Sequence, residues 1–309
     1  MRKVFFTKKL QICRIFAFCR ILRFVAFLRF VAFLRFVARF VERRNFFLQK
    51  AARKNTMQIM ENVQIILDNI ISWIQDFFKQ TGGKRAVVGI SGGKDSSVVA
   101  AMCVKALGKE NVTGVLMPNG TQSDIEDSKR LCAHIGIEPY TINIKAAYDG
   151  ILSALPSDLQ ITPQFKTNTP SRLRMVSLYA VAACLDGARV ANTGNYDEGF
   201  VGYTTIYGDL AGDFAPLRCL HVSEVVALGD LLGLPYDLTH KAPSDGMCGK
   251  TDEDNLGFTY HDVEVFSQTG DAPNAAQILA KHNANKFKGT LINPPSPYER
   301  ISAYLPHRS

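Results

Sequence analysis

From residue 57 to residue 81 apolar side chains recur every three or four positions: Ile59/Met60, Val63, Ile66/Leu67, Ile70/Ile71, Ile74 and Phe77/Phe78. That period predicts an amphipathic helix, which Thr81-Gly82-Gly83 ends. A β-rich run, Ala86–Ile90, follows, then a Ser/Gly turn and an apolar helix from about Asp95 to Leu107. The alternation continues with strand Val112–Met117, helix Asp124–Ile135 stopped by Gly136, strand Glu138–Ile142, helix Ser171–Leu185 and strand Ala188–Asn192. Strands and helices alternating at this spacing predict an α/β fold, a doubly wound, mostly parallel sheet with helices on both faces. Ligands bind such sheets at the carboxyl ends of the strands, so the loops after Ile90, Met117 and Asn192 are expected to line one site.

Residues 23–40 break the pattern. They read RFVAFL, RFVAFL, RFVARF, with Arg23, Arg29 and Arg35 in register. Six residues advance a helix by roughly 600°, so these arginines point about 120° apart and no apolar stripe forms. That argues against a membrane-surface helix. A spanning helix would place several arginines in hydrocarbon at about 2.5–3.5 kcal/mol each, and arginine interrupts every candidate signal-peptide core. The favoured reading is translated tandem-repeat sequence ahead of a start at Met57 or Met60; a disordered tail and an Arg-rich targeting presequence are the alternatives. Residues 1–56 are thus set apart as a basic extension from a domain at 57–309.

Charge sharpens this division. The chain carries +8 overall, but residues 1–55 hold 15 Lys/Arg and one acid, Glu42, leaving 21 basic and 27 acidic residues in the body. A mildly acidic body offers no basic face to a phosphate backbone, so nucleic acid is not an expected partner. Seven cysteines, at positions 13, 19, 103, 132, 184, 219 and 248, form no CxxC pair. Such a set suits reduced thiols in a cytoplasmic protein better than a disulfide framework or a zinc site.

The most informative segment is Val87-Val88-Gly89-Ile90 followed by Ser91-Gly92-Gly93-Lys94-Asp95-Ser96-Ser97. Paired glycines let the backbone approach a ligand, serines supply hydroxyls, and the following helix points its amides and positive dipole end at the loop. The segment is a cradle for an anion, best suited to a phosphate chain, and lacks the GxxxxGK[ST] spacing of a Walker A loop. The bland reading is an ordinary strand–helix turn with Asp95 stabilising the helix start; the seven residues together outweigh it.

SGGKDSS resembles the pyrophosphate-binding loop of the ATP-pyrophosphatase (PP-loop) group, and from about Met57 to Pro297 the body resembles ammonia-dependent NAD synthetases. The supporting segments are Pro118–Asp124, Asn143-Ile144-Lys145, Arg172–Met175, Asn192–Leu217, Lys241–Asp245 and Thr251–Tyr260. The resemblance implies an adenine nucleotide alpha-hydrolase-like fold. It places ATP on Gly89, Ile90, Ser91, Gly92, Gly93, Lys94, Asp95 and Ser96, with Thr193 and Ser244, and Mg²⁺ on Asp95 and Glu198. Arg172 and Asp213 match positions that hold deamido-NAD, and Asp209 lies where an acid binds or deprotonates the incoming ammonium. The pattern also departs from the family. Ile206 and Val222 stand where lysines are expected, Leu116 where an arginine is, and the C-terminal His-Lys pair is at best Asn285-Lys286, with Lys288 nearby. Lys94, Arg174 and Lys286 are the available substitutes.

The implied reaction is ATP-dependent amidation of deamido-NAD to NAD through an acyl-adenylate, releasing AMP and pyrophosphate. No protein nucleophile is required, in keeping with the lack of a persuasive Ser/His/Asp or Cys/His set. The body leaves no room for a glutamine-hydrolysing domain, so free ammonia, or ammonia delivered by another protein, is expected. The family is dimeric; the helix at 57–80 and the run from Ser171 are candidate contributors. Two alternative readings compete. A tRNA-thiolating or GMP-forming relative would share the loop, but the body lacks paired cysteines and a basic face. A nucleotide-sensing or membrane-associated binding protein would explain the missing lysines, but not the retained Asp95, Glu198 and Asp209.

Overall fold

The computed structural model describes residues 62–122, 125–241 and 251–298. The arginine repeat and Ser244 lie outside them. A helix over 62–81 (α1) buries Leu67, Ile70, Ile74 and Phe78, the same stripe that the apolar period predicts. Strand β1 (Arg85–Gly89) leads into α2 (Lys94–Leu107), β2 (Val112–Leu116) into α3 (Ile125–Ile135), and β3 (Tyr140–Thr141) into α4 (Lys145–Ala154) and α5 (Pro163–Ala183). Strand β4 (Ala188–Val190) ends the sheet, whose order is β3-β2-β1-β4. All three pairings are parallel, with Val87 opposite Thr113 on one side and Val190 on the other.

Alternation along β1 divides two cores. Ala86, Val88 and Ile90 face a cluster that includes Ile70 and Ile74 of α1 and Val98, Val99 and Met102 of α2. Val87 faces the other way, onto Met175 and Leu178 of α5 with Val115 and Val190. The sheet therefore buries both faces, as a period-two strand with apolar residues at every position requires. The C-terminal half is helical: α6 (Tyr196–Val201), α7 (Val222–Leu231), α8 (Tyr236–Thr239), α9 (Asp252–Leu256), α10 (Tyr260–Thr269), α11 (Ala275–Asn285) and α12 (Lys288–Leu291). Phe200, Val201, Phe258, Val263, Phe266 and Ile278 make a third apolar cluster among them.

The expected α/β architecture holds, with different limits for some elements. The third strand contracts from Glu138–Ile142 to two exposed residues, because it is an edge paired only with β2. The helix expected from Ser171 begins eight residues earlier. Thr162 caps it by accepting from Phe165 N, Pro163 occupies its first position, and Pro170 sits in the interior at the loss of one helical hydrogen bond. That early start carries Ser171 and Arg172 on a rigid helix rather than at a frayed end.

Candidate active site

Strand β1 delivers the chain into a turn with Gly92 at φ +81°, where a Cβ would lie 3.1 Å from Asp127 Cβ and Ser128 Oγ. Only glycine takes this backbone without strain. The turn is tied by hydroxyls: Ser91 N donates to Ser96 Oγ at 3.2 Å, Ser91 and Ser96 Oγ lie 3.0 Å apart, and Ser97 Oγ donates to Gly93 O at 2.7 Å. Gly93 caps α2 without any side-chain acceptor. The first-turn amides of a 14-residue helix are thus left facing the loop, where an anion is favoured.

Asp95 on the first turn of α2 meets the loop after β4 through Asn195. Asn195 Nδ2 donates to Asp95 Oδ1 at 3.0 Å, while its own amide donates to Glu198 Oε2 at 3.1 Å and its Oδ1 accepts from Glu198 N at 3.0 Å. This capping box starts α6 and sets Glu198 beside Asp95. Buried Lys94 forms an ion pair with Asp95 Oδ2 at 2.9 Å. Burial alone would lower the Lys94 ammonium, but the charges of Asp95, Glu198 and Asp252 outweigh it and raise its pKa. Burial, then the Asp95 charge, push Glu198 well above the ordinary carboxylate value, with Lys94 opposing. Asp252 is buried near the same charges, and Tyr260 Oη reaches its Oδ2 at 3.4 Å.

A second group gathers around Asp209. Ser171 Oγ donates to Asp209 Oδ1 at 2.7 Å and accepts from Asp209 N at 3.0 Å. Thr205 N donates to both carboxylate oxygens, at 3.0 and 3.2 Å. Arg172 Nε donates to Ile206 O at 3.1 Å, steadying the same turn. Asn192 links the two groups: its Nδ2 donates to Asp209 O at 2.8 Å, and its Oδ1 accepts from Gly194 N at 2.9 Å. Half-buried Thr193 lies between them in sequence.

Not every residue singled out by sequence has its polar groups turned to a cleft. Asp213 Oδ2 accepts from Val190 N at 2.7 Å and its Oδ1 from Tyr179 Oη at 3.0 Å, so its carboxylate closes the end of β4. Asn285 donates to Val201 O and Lys281 O, and exposed Lys286 reaches Asn283 Oδ1 at 3.4 Å. The cation near Asp209 is instead Lys288, half-buried, donating to Gly202 O at 2.7 Å and Thr204 O at 2.8 Å. Burial lowers its pKa, and the Asp209 charge opposes that shift. Val222 and Lys94 line one cavity of about 290 Å³ with Thr239, His240 and Lys241, so the position that lacks the expected lysine shares its cavity with two others. Arg174 Nε donates to Met117 O at 3.0 Å.

The family profile described as NAD synthase matches residues 66–290, which span the phosphate loop, the Asp95–Glu198 pair and the Asp209 turn. The chain belongs to the NAD synthase family. Among its relatives, an NH(3)-dependent NAD(+) synthetase from Pyrococcus furiosus is 39% identical over 62% of this chain and 74% of that protein. One from Methanosarcina mazei is 39% identical over 72% of this chain and 87% of its own length. Of solved structures, an NMN synthetase from Francisella tularensis superposes with a TM-score of 0.68 at 32% identity, covering 79% of this chain and 99% of that one. An NH3-dependent NAD synthetase from Campylobacter jejuni gives 0.60 at 33% identity, over 74% and 96%. Membership accounts for the parallel sheet and the strand-end loops. Sequence reasoning missed Ser171, Asn192, Asn195, Asp252 and the placement of Lys288. Only Asn195 carried a local signal, as a cap residue with Glu198 three positions on.

Proposed function

We propose that this chain is an ammonia-dependent NAD synthetase that amidates the nicotinate carboxylate of deamido-NAD at the expense of ATP. The observation that carries the reading is the meeting of Asp95 and Glu198, through Asn195, beside the open amino end of α2. In the first step a carboxylate oxygen of the substrate bonds to the α-phosphorus of ATP and the bond to the pyrophosphate breaks. The loop amides at Gly92–Ser96 and the Lys94 ammonium stabilise charge on the departing pyrophosphate. In the second step ammonia bonds to the carbonyl carbon, AMP leaves, and the nitrogen's proton passes to Asp209. Ser171 and Thr205 hold the Asp209 carboxylate in one orientation for this.

Asp95 and Glu198 fit Mg²⁺. They are an oxygen-only pair; burial raises Glu198 first and the Asp95 charge adds to it, and a divalent cation would offset both. Asp95 and Glu198 would hold it, with phosphate oxygens and water supplying the other oxygen ligands that Mg²⁺ favours. Mg²⁺ would supply charge neutralisation on the phosphates. Thr193 and Ser244 are assigned to ATP, and Arg172, Asp213, Asn285 and Lys286 to deamido-NAD, with Lys288 added on the acceptor side.

The chain is further proposed to act as a homodimer. Ile151 and Leu152 of α4 and Val176 and Tyr179 of α5 expose apolar surface, as does Leu159 between them. Residues 57–309 are taken as the catalytic domain and residues 1–56 as dispensable to it. A cytoplasmic setting rests on the scattered thiols; no described helix is long and apolar enough to cross a membrane.

The experiment is NAD formation by a chain starting at Met57, with deamido-NAD, MgATP and ammonium, following NAD, AMP and pyrophosphate together. Equal production of all three supports the reading, and a folded, ATP-binding protein that makes none of them refutes it. The likeness to an NMN synthetase favours a second reading, in which the mononucleotide is the acceptor. A kcat/KM higher for nicotinate mononucleotide than for deamido-NAD would select it.

A further inference from the structure

Asp197 and Glu198 are neighbours on the first turn of α6, yet their carboxylates serve opposite sides of it. Consecutive helical residues point about 100° apart. Glu198 faces Asp95, whereas Asp197 is 0% exposed and turned toward α7 and α10. There its Oδ1 lies 2.6 Å from His221 Nδ1, and its Oδ2 accepts from Val222 N at 2.8 Å. His221, 1% exposed, places Nε2 3.4 Å from Ser267 Oγ of α10, and the Tyr196 ring packs edge-on against the imidazole at 4.9 Å. The Tyr196 amide adds a further tie, donating to Leu220 O at 2.9 Å.

Acid, imidazole and hydroxyl stand in the order of a hydrolytic relay, but the chemistry of one is excluded. All three residues are buried, and Ser267 Oγ donates to Glu264 O at 2.9 Å. A buried acid–imidazole pair with no access to substrate has a different use. It fixes the elements that carry it, because breaking it strands a polar group away from water. Here the fixed object is a single turn of a six-residue helix, held from one side by Asn195 on Asp95 and from the other by Asp197 on His221 and Val222.

We propose that Asp197, His221 and Ser267 are positioning residues for Glu198, a buried brace that sets the rotation of the first turn of α6 so that the Glu198 carboxylate meets Asp95. The proposal rests on the reading of Glu198 as a Mg²⁺ ligand. It predicts that the brace tunes metal-dependent nucleotide binding and leaves the acceptor side alone, since Asp209 is held separately by Ser171 and Thr205.

The test is calorimetric binding with the full chain, free of turnover: ATP with Mg²⁺, ATP with EDTA, and deamido-NAD alone. In Asp197→Ala and in His221→Ala, the gain in ATP affinity conferred by Mg²⁺ is expected to fall at least about tenfold, the low end of the loss seen when groups that support a metal ligand are removed. Deamido-NAD binding should stay within about twofold, and Asp197→Asn, which keeps an acceptor for Val222 N and a hydrogen bond to His221, should restore most of the gain. The proposal is overturned if the Mg²⁺ gain is intact in Asp197→Ala, or if all three affinities fall together. Should Asp197→Ala not fold, His221→Asn is judged by the same criteria. Glu198→Gln is the control: if it leaves the Mg²⁺ gain intact, the metal reading itself fails, whatever the brace does.

Discussion

Gly208 touches no reacting atom, yet substituting it should damage the ammonia step. Its backbone is not in the left-handed region, so alanine is permitted by conformation. The obstacle is space: a Cβ there would lie 2.3 Å from Ser171 Oγ and 3.0 Å from Thr205 Cβ and Cγ2. Oxygen and carbon do not approach so closely, and the hydroxyl has to move by roughly 1 Å, which breaks its bonds to Asp209 Oδ1 and Asp209 N. A hydrogen bond to a charged group contributes about 1.5–3 kcal/mol, so kcat/KM for ammonium should fall about 10- to 100-fold in Gly208→Ala. The assay is steady-state NAD formation at saturating MgATP and deamido-NAD, with ammonium varied. The route is checked by a double-mutant cycle. Ser171→Ala should cost a similar amount and also remove the nearer obstacle, leaving Thr205 to give by only a few tenths of an ångström, so adding Gly208→Ala to it should cost less than about twofold more. An equal penalty on both backgrounds, or a loss confined to the KM for ATP, would refute the reasoning.

Other expectations follow from the same geometry. Because the Glu198 carboxyl is raised in the fold, its contribution to stability is complete below its unfolded pKa and is lost as pH rises through the folded value. Ligand-free Glu198→Gln should therefore melt above the parent, by a margin that widens as pH rises above the ordinary carboxylate range in scanning calorimetry; a narrowing margin contradicts the assigned cause. Gly92→Ala places a side chain at φ +81° at a cost of about 1–2 kcal/mol, so the KM for ATP should rise about tenfold while the KM for ammonium stays unchanged. Arg172→Lys loses the planar fork and its Nε bond to Ile206 O, and should raise the KM for deamido-NAD about tenfold. A change in the KM for ATP alone would remove Arg172 from the acceptor side.

The parts legible in the sequence are those written locally. The apolar period of α1, the strand–loop–helix around Gly89–Ser96 and the loops at the strand ends are each specified by residues within a few positions of one another. What was not legible depends on topology. Ser171 and Asp209 are 38 residues apart and Asp197 and His221 are 24 apart, and no periodicity announces such pairs. Asp213 and Lys288 show the limit differently. A motif match picks out a position, but whether its side chain closes a strand end or steadies a turn beside Asp209 is decided by packing. The misjudged start of α5 has a plain cause as well, since Pro170 resembles a boundary while the actual start signals are Thr162 and Pro163.

The strand order β3-β2-β1-β4 has a consequence for how the protein is made. As the chain leaves the ribosome β1 acquires β2, and β2 acquires β3, but the other edge of β1 is left for β4. At typical elongation rates the roughly 100 residues in between take about 5–20 s to appear. Throughout that interval Arg85–Gly89, a central strand of the finished sheet, presents one edge of unpaired amides and carbonyls as an open template. The nascent chain is therefore most exposed to faulty pairing in the middle of its synthesis, and its vulnerability ends when residues 188–190 dock.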